Sequence, residues 1–199
     1  MATWFTSDTH FGHKNILKYC PDRLKYCSDV RHMDRVLIER WNAKIQPDDI
    51  VWHLGDVFFC GNTYGQSILN ELNGRKRLIM GNHDYSRSYS KWESLGFEFV
   101  LEAAQIKIDG KDCWLSHYPY SEGFWKVLFK RFHYDDRYIQ KKLKDSGAWL
   151  FHGHIHDIWK VKDRMINVGV DVWDGEPVSE DQIIKVMRNA DGFNRKNNR

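Results

Sequence analysis

Ile50-Val51-Trp52-His53-Leu54-Gly55-Asp56 is a run of large apolar and β-branched residues that stops at a glycine and presents a carboxylate. A run of this kind, bounded by a turn signal and too short for a core helix, reads as a buried strand over 50–54. The pattern recurs on both sides. Residues 2–7 run into Asp8-Thr9-His10, and residues 77–80 into Gly81-Asn82-His83-Asp84. Residues 112–117 end on His117, and residues 148–152 run into Gly153-His154-Ile155-His156. Each polar cluster follows a strand-like segment, so all of them can converge at the strand ends of one sheet.

Between these strands the periodicity changes. Val30, Met33, Leu37 and Trp41 recur at helical spacing over 29–45, with Ser28 as the expected cap. A weaker helix is expected over 64–73 and another over 86–95. Three strand-like stretches follow at 97–102, 104–109 and 112–117, the last two split by the turn Asp109-Gly110. Residues 158–161 and 165–172 can pair as a hairpin, and Ser179 with Gln182 makes a capping box for a closing helix over 180–189. The early strand–helix alternation and the later hairpins point to two sheets packed face to face with helices outside. Residues 191–199 read as a frayed polar tail.

Composition narrows the class. At 199 residues, 42% hydrophobic and 15% aromatic, the chain is expected to be one globular domain over 1–199. A net charge of +3 permits an anionic substrate without demanding nucleic acid. Cys20, Cys27, Cys60 and Cys113 are scattered and form no C-x-x-C, so reduced thiols in a cytoplasmic protein are expected. No apolar run approaches the ~18 residues of a membrane span. A cleaved leader would remove part of the cluster at Asp8, which also favours a cytoplasmic location.

The clusters together supply four imidazoles (His10, His117, His154, His156), two carboxylates (Asp8, Asp56) and one amide (Asn82), with His83 to spare. Mixed nitrogen and oxygen donors suit Mn, Fe, Zn or Ni better than Mg or Ca. Asp8 with His10, and His154 with His156, stand at i and i+2, which in extended backbone puts both side chains on one face.

The order and spacing of Asp8-x-His10, Gly55-Asp56, Gly81-Asn82-His83-Asp84, His117 and Gly153-His154-x-His156 resemble the calcineurin-like metallophosphoesterase superfamily. The resemblance implies an α/β fold, a four-layer α/β/β/α sandwich of two mixed sheets flanked by helices. It also implies a dinuclear metal centre and hydrolysis of a phosphodiester or phosphomonoester by metal-bound hydroxide. Asp8, His10 and His156 would hold one ion, Asn82, His117 and His154 the other, and Asp56 would bridge them. The cofactors would be two divalent metal ions, Mn first, with Fe, Zn or Ni as alternatives. Against the two aspartates and one hydroxide, such a pair leaves net positive charge, which suits an anionic phosphate. His83 would act at the leaving group, and Asp84 would orient it or raise its pKa. His13, His32, His53, His133 and His152 fall outside the motifs and are expected to be ordinary packed or surface residues. Asn167 and Asp171 lie near the expected site, where support of the ligands and plain turn chemistry are equally open.

The branch is legible too. Gly55-Asp56 is followed by Val57-Phe58-Phe59, without the Asp-Arg-Gly of the Ser/Thr phosphoprotein phosphatases, and the third motif ends in Asp84 where theirs ends in Glu. The chain is therefore closer to the compact phosphodiesterase-like branch. The expected substrate is small, phosphorylated and nucleotide-like, with no membrane and no obligate protein partner. The alternatives are a nuclease or RNA-end phosphatase, and a metal-bound scaffold that has lost catalysis. Residues 118–146 read as an insertion where Lys126, Lys130, Arg131, Arg137, Lys141, Lys142 and Lys144 interleave with Trp125, Phe129, Phe132, Tyr134 and Tyr138. That mixture fits either a substrate-facing surface, with Lys130 and Arg131 as contacts, or a solvated helix with its aromatics in the core. The second reading is slightly favoured.

Overall fold

The computed structural model describes residues 1–120 and 143–197. Two five-stranded sheets form the body of the molecule. In the first, β1 (Thr3–Thr6), β2 (Ile50–His53), β3 (Arg75–Ile79) and β4 (Phe97–Leu101) run parallel, and β10 (Val178–Ser179) adds an antiparallel edge beside β1. In the second, the order is β5 (Ala103–Ile108), β6 (Lys111–Ser116), β7 (Trp149–His152), β9 (Met165–Asn167) and β8 (Val161–Lys162). Here β6, β7 and β9 are parallel, and the outer strands are antiparallel.

Alternation along each strand sorts the core into layers. Val51 and Leu78 face the helices α2 (Val30–Lys44) and α3 (Asn62–Glu71), joining Met33, Leu37, Trp41, Ile68 and Leu69. Their neighbours Trp52 and Ile79 face the other way, into a core shared with Cys113, Leu115, Phe151 and Ile166 of the second sheet. Phe5 meets Phe151 edge-on across this interface at 5.2 Å. Each such side chain, fully buried, contributes about 1.5–3 kcal/mol. The helix α5 (Glu180–Asn197) sends Ile183 and Met187 into the same core. On the outer face of the second sheet, Leu150 and Met165 pack with Tyr120, Trp114, Leu143 and Trp159. The sandwich of two mixed sheets with helices is therefore the observed fold.

The short helices α1 (Ile16–Tyr19) and α4 (Tyr89–Ser94) complete the described elements, with 3₁₀ turns at Pro21–Lys25, Asp84–Ser86 and Val170–Val172. Several expected boundaries shift. Asp29, not Ser28, caps α2 by accepting from His32 N at 3.0 Å. The third strand starts earlier than 77 because Arg75 and Arg77 lie at the sheet margin and pair there with Glu98. The segment 86–95 divides into a 3₁₀ turn and α4, which is capped by Ser88. The strand expected over 165–172 stops at Asn167, whose Oδ1 accepts from Gly169 N at 2.8 Å and turns the chain into a 3₁₀ helix. The capping box forms, with Gln182 N on Ser179 Oγ and Ser179 N on Gln182 Oε1. Helix α5 then continues to Asn197, into the tail expected to fray, since each added residue of an established helix needs only one more hydrogen bond. The insertion expected over 118–146 and its helix over 135–145 fall largely on 121–142, outside the described residues, and residues 143–146 are irregular.

Candidate metal centre

Register places the polar clusters together. The ends of β1 and β2 align through Thr6↔His53, and β2 and β3 through His53↔Leu78. The ends of β6 and β7 align through Leu115↔Phe151. Because these strands are parallel within each sheet, the loops that follow them leave from the same edge, where ligand crevices of α/β sheets form. Asp8 N donates to Gly55 O at 3.0 Å and His10 N to Asp56 O at 3.1 Å, locking the first two loops. Gly153 N donates to His117 O at 3.0 Å, and Val170 N to Ser7 O at 3.0 Å, the latter joining the two sheets.

The backbone at these positions is unusual. Asp8, His10, Asp56, His154 and His156 all have positive φ, between 49° and 72°. Left-handed backbone at a non-glycine residue costs on the order of 1–3 kcal/mol and persists where surrounding structure imposes it, commonly at functional sites. This corrects the expectation of extended D-x-H and H-x-H segments. These five converge because the chain turns at each of them, not because they share one face of a strand. Two glycines make the convergence possible. A Cβ on Gly55, at φ +96°, would lie 2.5 Å from Gly81 N and 2.6 Å from His117 Nδ1. A Cβ on Gly153 would lie 2.0 Å from Ser7 Oγ and 2.2 Å from Asp8 Oδ2.

Two donor groups result among the predicted ligands, Asp8–His10–His156 and Asp8–Asp56–His117, each with its donor atoms within 4.8 Å of one another, and a third, Cys20–His156–Asp171, shares His156. Asp8 belongs to both of the first two, and Asp56 Oδ2 in the second lies 3.6 Å from His117 Nε2 and also 3.5 Å from His10 Nε2 of the first. On the far side Asn82 Oδ1 lies 3.0 Å from both His117 Nε2 and His154 Nδ1, which are 3.2 Å apart. The sequence-predicted ligands Asp8, His10, Asp56, Asn82, His117, His154 and His156 are thus brought into one cluster.

These residues fit divalent cations on the chemistry of their donor atoms. His117 Nδ1 faces Leu54 O at 2.7 Å and must carry a proton to donate to it. Its Nε2 then faces Asn82 Oδ1 and His154 Nδ1, donor atoms that a cation among them would share. Donor spacings near 3 Å are what a cation about 2.0–2.2 Å from each donor leaves between them. His10 Nε2 is buried and has no hydrogen-bond partner among the described residues. Burial, with the nearby charges of His156 and Arg23, holds His10 well below the usual histidine pKa, so it is the neutral imidazole a metal requires. Burial likewise raises Asp8, against the pull of His117 and His156. A buried acid without compensation is the state that a bound cation relieves.

His83 stands at the mouth of the cluster, its side chain 39% exposed and its Nε2 3.9 Å from Asp56 Oδ2. Its backbone N–H donates to Asp56 Oδ1 at 3.0 Å, which fixes its position relative to the central carboxylate. Asp84 is fully buried, and its carboxylate accepts from the backbone N–H groups of Asp56 at 2.7 Å, Gly81 at 2.8 Å and Val57 at 3.2 Å. The expected contact with His83 is replaced by this one, which ties the second and third loops together. Burial and the neighbouring Asp56 push the Asp84 carboxyl up to about 7 despite those bonds. Lys130 and Arg131 lie outside the described residues.

Two buried groups go beyond the motifs. Asp171 Oδ2 accepts from His156 Nδ1 at 2.8 Å. Arg23 holds Asp171 from behind in a two-pronged pair at 2.7 and 2.9 Å, and also donates to the carbonyls of Asp8 and Thr9. Burial alone would raise Asp171, but the Arg23 guanidinium keeps it well below the usual carboxylate range. For His156 burial opposes protonation, yet the Asp171 bond lifts its pKa well above the usual value. Arg23 follows Pro21 in an irregular segment and carries no sequence signal for this role. Asp171 was visible near the site but not attributable to His156.

Of the histidines expected to lie outside the site, His53 is buried against Thr9 Oγ1 at 2.9 Å, with burial lowering its pKa to about 3. His152 bonds Gly153 O at 2.8 Å. His13 is closer than expected, its ring 5.3 Å from that of His10.

Similar proteins give the family. The family model described as the calcineurin-like phosphoesterase superfamily domain matches residues 1–170. The gene 66 protein of Mycobacterium phage L5 is 34% identical over 209 residues, which covers 93% of both chains. An uncharacterized protein of Methanocaldococcus jannaschii is 31% identical over 194 residues, covering 92% of this chain and 90% of its own. A solved structure of a protein of unknown function from Aquifex aeolicus is similar with a TM-score of 0.67 at 27% identity, covering 93% of this chain and 98% of that one. On the length of the family match and the identity to these relatives, the chain belongs to the calcineurin-like phosphoesterase superfamily.

Proposed function

We propose that this protein is a metal-dependent phosphoesterase that hydrolyses phosphodiester or phosphomonoester bonds of a small nucleotide-like substrate at a two-metal centre. The observation that carries the reading is the position of Asp56 Oδ2, 3.5 Å from His10 Nε2 on one side and 3.6 Å from His117 Nε2 on the other. A carboxylate so placed can be shared by two cations. Asp8, His10 and His156 would hold the first, Asn82, His117 and His154 the second, with Mn as the leading candidate and Fe, Zn or Ni as alternatives. Bound there, the pair would supply Lewis-acid charge for the phosphoryl oxygens and lower the pKa of a water nucleophile.

The protein's own residues supply the rest. His83, at the open side of the cluster, is placed to donate a proton from its imidazole to the departing oxygen, which a positioned acid accelerates by about 10²–10⁴. Its backbone tether to Asp56 keeps that donor at a set distance from the phosphate. Asp171 orients the His156 ring, so that Nδ1–H points away from the cluster and Nε2 is left to ligate. Arg23 holds Asp171, and Asp84 holds the Asp56 loop to the Gly81 loop.

The test is hydrolysis by Mn-loaded protein of bis-p-nitrophenyl phosphate, p-nitrophenyl phosphate, cyclic nucleotides and short RNA, beside protein stripped by chelator. Turnover of at least one ester that is lost on chelation and restored by metal supports the reading. No turnover of any of these esters by protein loaded with Mn, Fe, Zn or Ni overturns it.

A further inference from the structure

Val57-Phe58-Phe59 leaves the second loop in extended register against Phe11, through Phe11 N on Val57 O at 3.0 Å and Phe59 N on Phe11 O at 2.8 Å. Alternation then buries Phe58, 2% exposed against Trp92, and turns Phe59 outward at 47% exposure. An exposed phenyl ring contributes nothing to the core, yet this one is held on both sides. It stacks on His13 at 4.6 Å with the planes 27° apart, and meets His83 edge-on at 4.9 Å. Beyond His13 stands Tyr19, 62% exposed, its ring 6.1 Å away. Tyr19, His13, Phe59 and His83 therefore form one aromatic ledge that ends at the metal centre.

The position of the ledge says what it serves. His83 touches both the central carboxylate, at 3.9 Å, and Phe59. A phosphoester whose departing oxygen meets His83 must extend its leaving or retained group past that ring, and one ring further on lies Phe59. Phe59 is thus the next ring outward from His83, 4.9 Å from it.

We propose that Phe59, backed by His13, is the base-binding platform of the substrate site, stacking the nucleobase of a nucleotide whose phosphate lies at the metal centre. This rests on the phosphoesterase reading above and adds the residue that would select a nucleobase beside the phosphate. Stacking needs a polarisable face and is tolerant of base identity, so the platform favours nucleobases as a class over sugar phosphates without one.

The experiment is calorimetric titration of Mn-loaded protein with adenosine 5′-monophosphate and with ribose 5-phosphate, which share the ribose phosphate and differ at the anomeric carbon, base against hydroxyl. Wild type is expected to bind the nucleotide about 5- to 100-fold tighter, the worth of one stacked base. In Phe59→Ala the two affinities should come within about two-fold of one another, and Phe59→Trp, which keeps a planar face, should restore the gap. Metal content and melting temperature of each variant show that the centre and fold persist. Equal affinities in wild type, or a gap that survives Phe59→Ala, overturn the platform while leaving hydrolysis of bis-p-nitrophenyl phosphate as it was. Loss of the phosphoesterase reading shows differently, as no hydrolysis of any ester by wild type, and it removes the platform as well.

Discussion

Asp171 Oδ2 accepts the Nδ1–H of His156 at 2.8 Å, a bond between residues that no motif in the sequence links. Because Arg23 occupies the other side of that carboxylate, the imidazole is oriented by a buried pair. Removing the partner of a ligating histidine typically costs 10–100-fold in metal affinity. Asp171→Asn should therefore weaken metal binding by about that factor. Metal titration followed by calorimetry measures it, and wild-type affinity in this variant would show the pair to be purely structural.

Arg23→Met addresses the same pair from behind. It leaves the Asp171 charge buried without its partner and deprives the Asp8 and Thr9 carbonyls of a donor. Breaking a buried pair from one side costs about 3–5 kcal/mol. The metal-free variant should melt well below wild type, by more than Asp171→Asn does. Chemical denaturation of both proteins, stripped of metal, gives the comparison.

Asp56→Asn should cost both ions rather than one, since its carboxylate lies within 3.6 Å of a histidine of each proposed ion site, His10 and His117. Elemental analysis showing two tightly held metals in this variant would refute the bridging role. Loss of metal should also remove the part of the thermal stability that metal supplies, because a ligand specific to the folded state stabilises it by mass action.

His83→Ala should retain both metals and lose roughly 10²–10⁴ in kcat. The deficit should shrink with p-nitrophenol as leaving group, which needs little protonation, and stay large for alcohols. An equal deficit for both kinds of leaving group would argue that His83 acts on phosphate charge and not as an acid.

Asp84→Asn separates the two carboxyl roles considered for this position. With its oxygens accepting from Asp56, Gly81 and Val57, the substitution turns an NH₂ group toward backbone donors. Leaving a buried donor unmet costs about 1–3 kcal/mol, so the expected outcome is lower stability. The dependence of kcat on the leaving group should stay that of wild type. A leaving-group dependence like that of His83→Ala would restore the direct link to His83.

The chain order of short apolar runs, each stopping at Asp, His or a glycine, determined a great deal by itself. Burial on both faces makes strands such as 50–54 continuous in hydrophobicity, so each such run stands out from the polar cluster that follows it. The two-sheet architecture and the residues that cluster were legible for that reason. Tertiary structure decided what no local pattern encodes. Asp8, His10, Asp56, His154 and His156 adopt left-handed backbone only because neighbouring loops hold them there, so the sequence reads as extended where the chain turns. Arg23 and Asp171 are 148 positions apart, and a pair at that separation leaves no periodicity to detect. Asp84 sits beside His83 in the chain, yet its carboxylate serves the backbone of another loop, since buried N–H groups left unpaired cost more than a side-chain contact contributes. Phe58 and Phe59 are identical in the sequence. Only the strand-like register of their loop against Phe11 buries the first and presents the second at the mouth of the site.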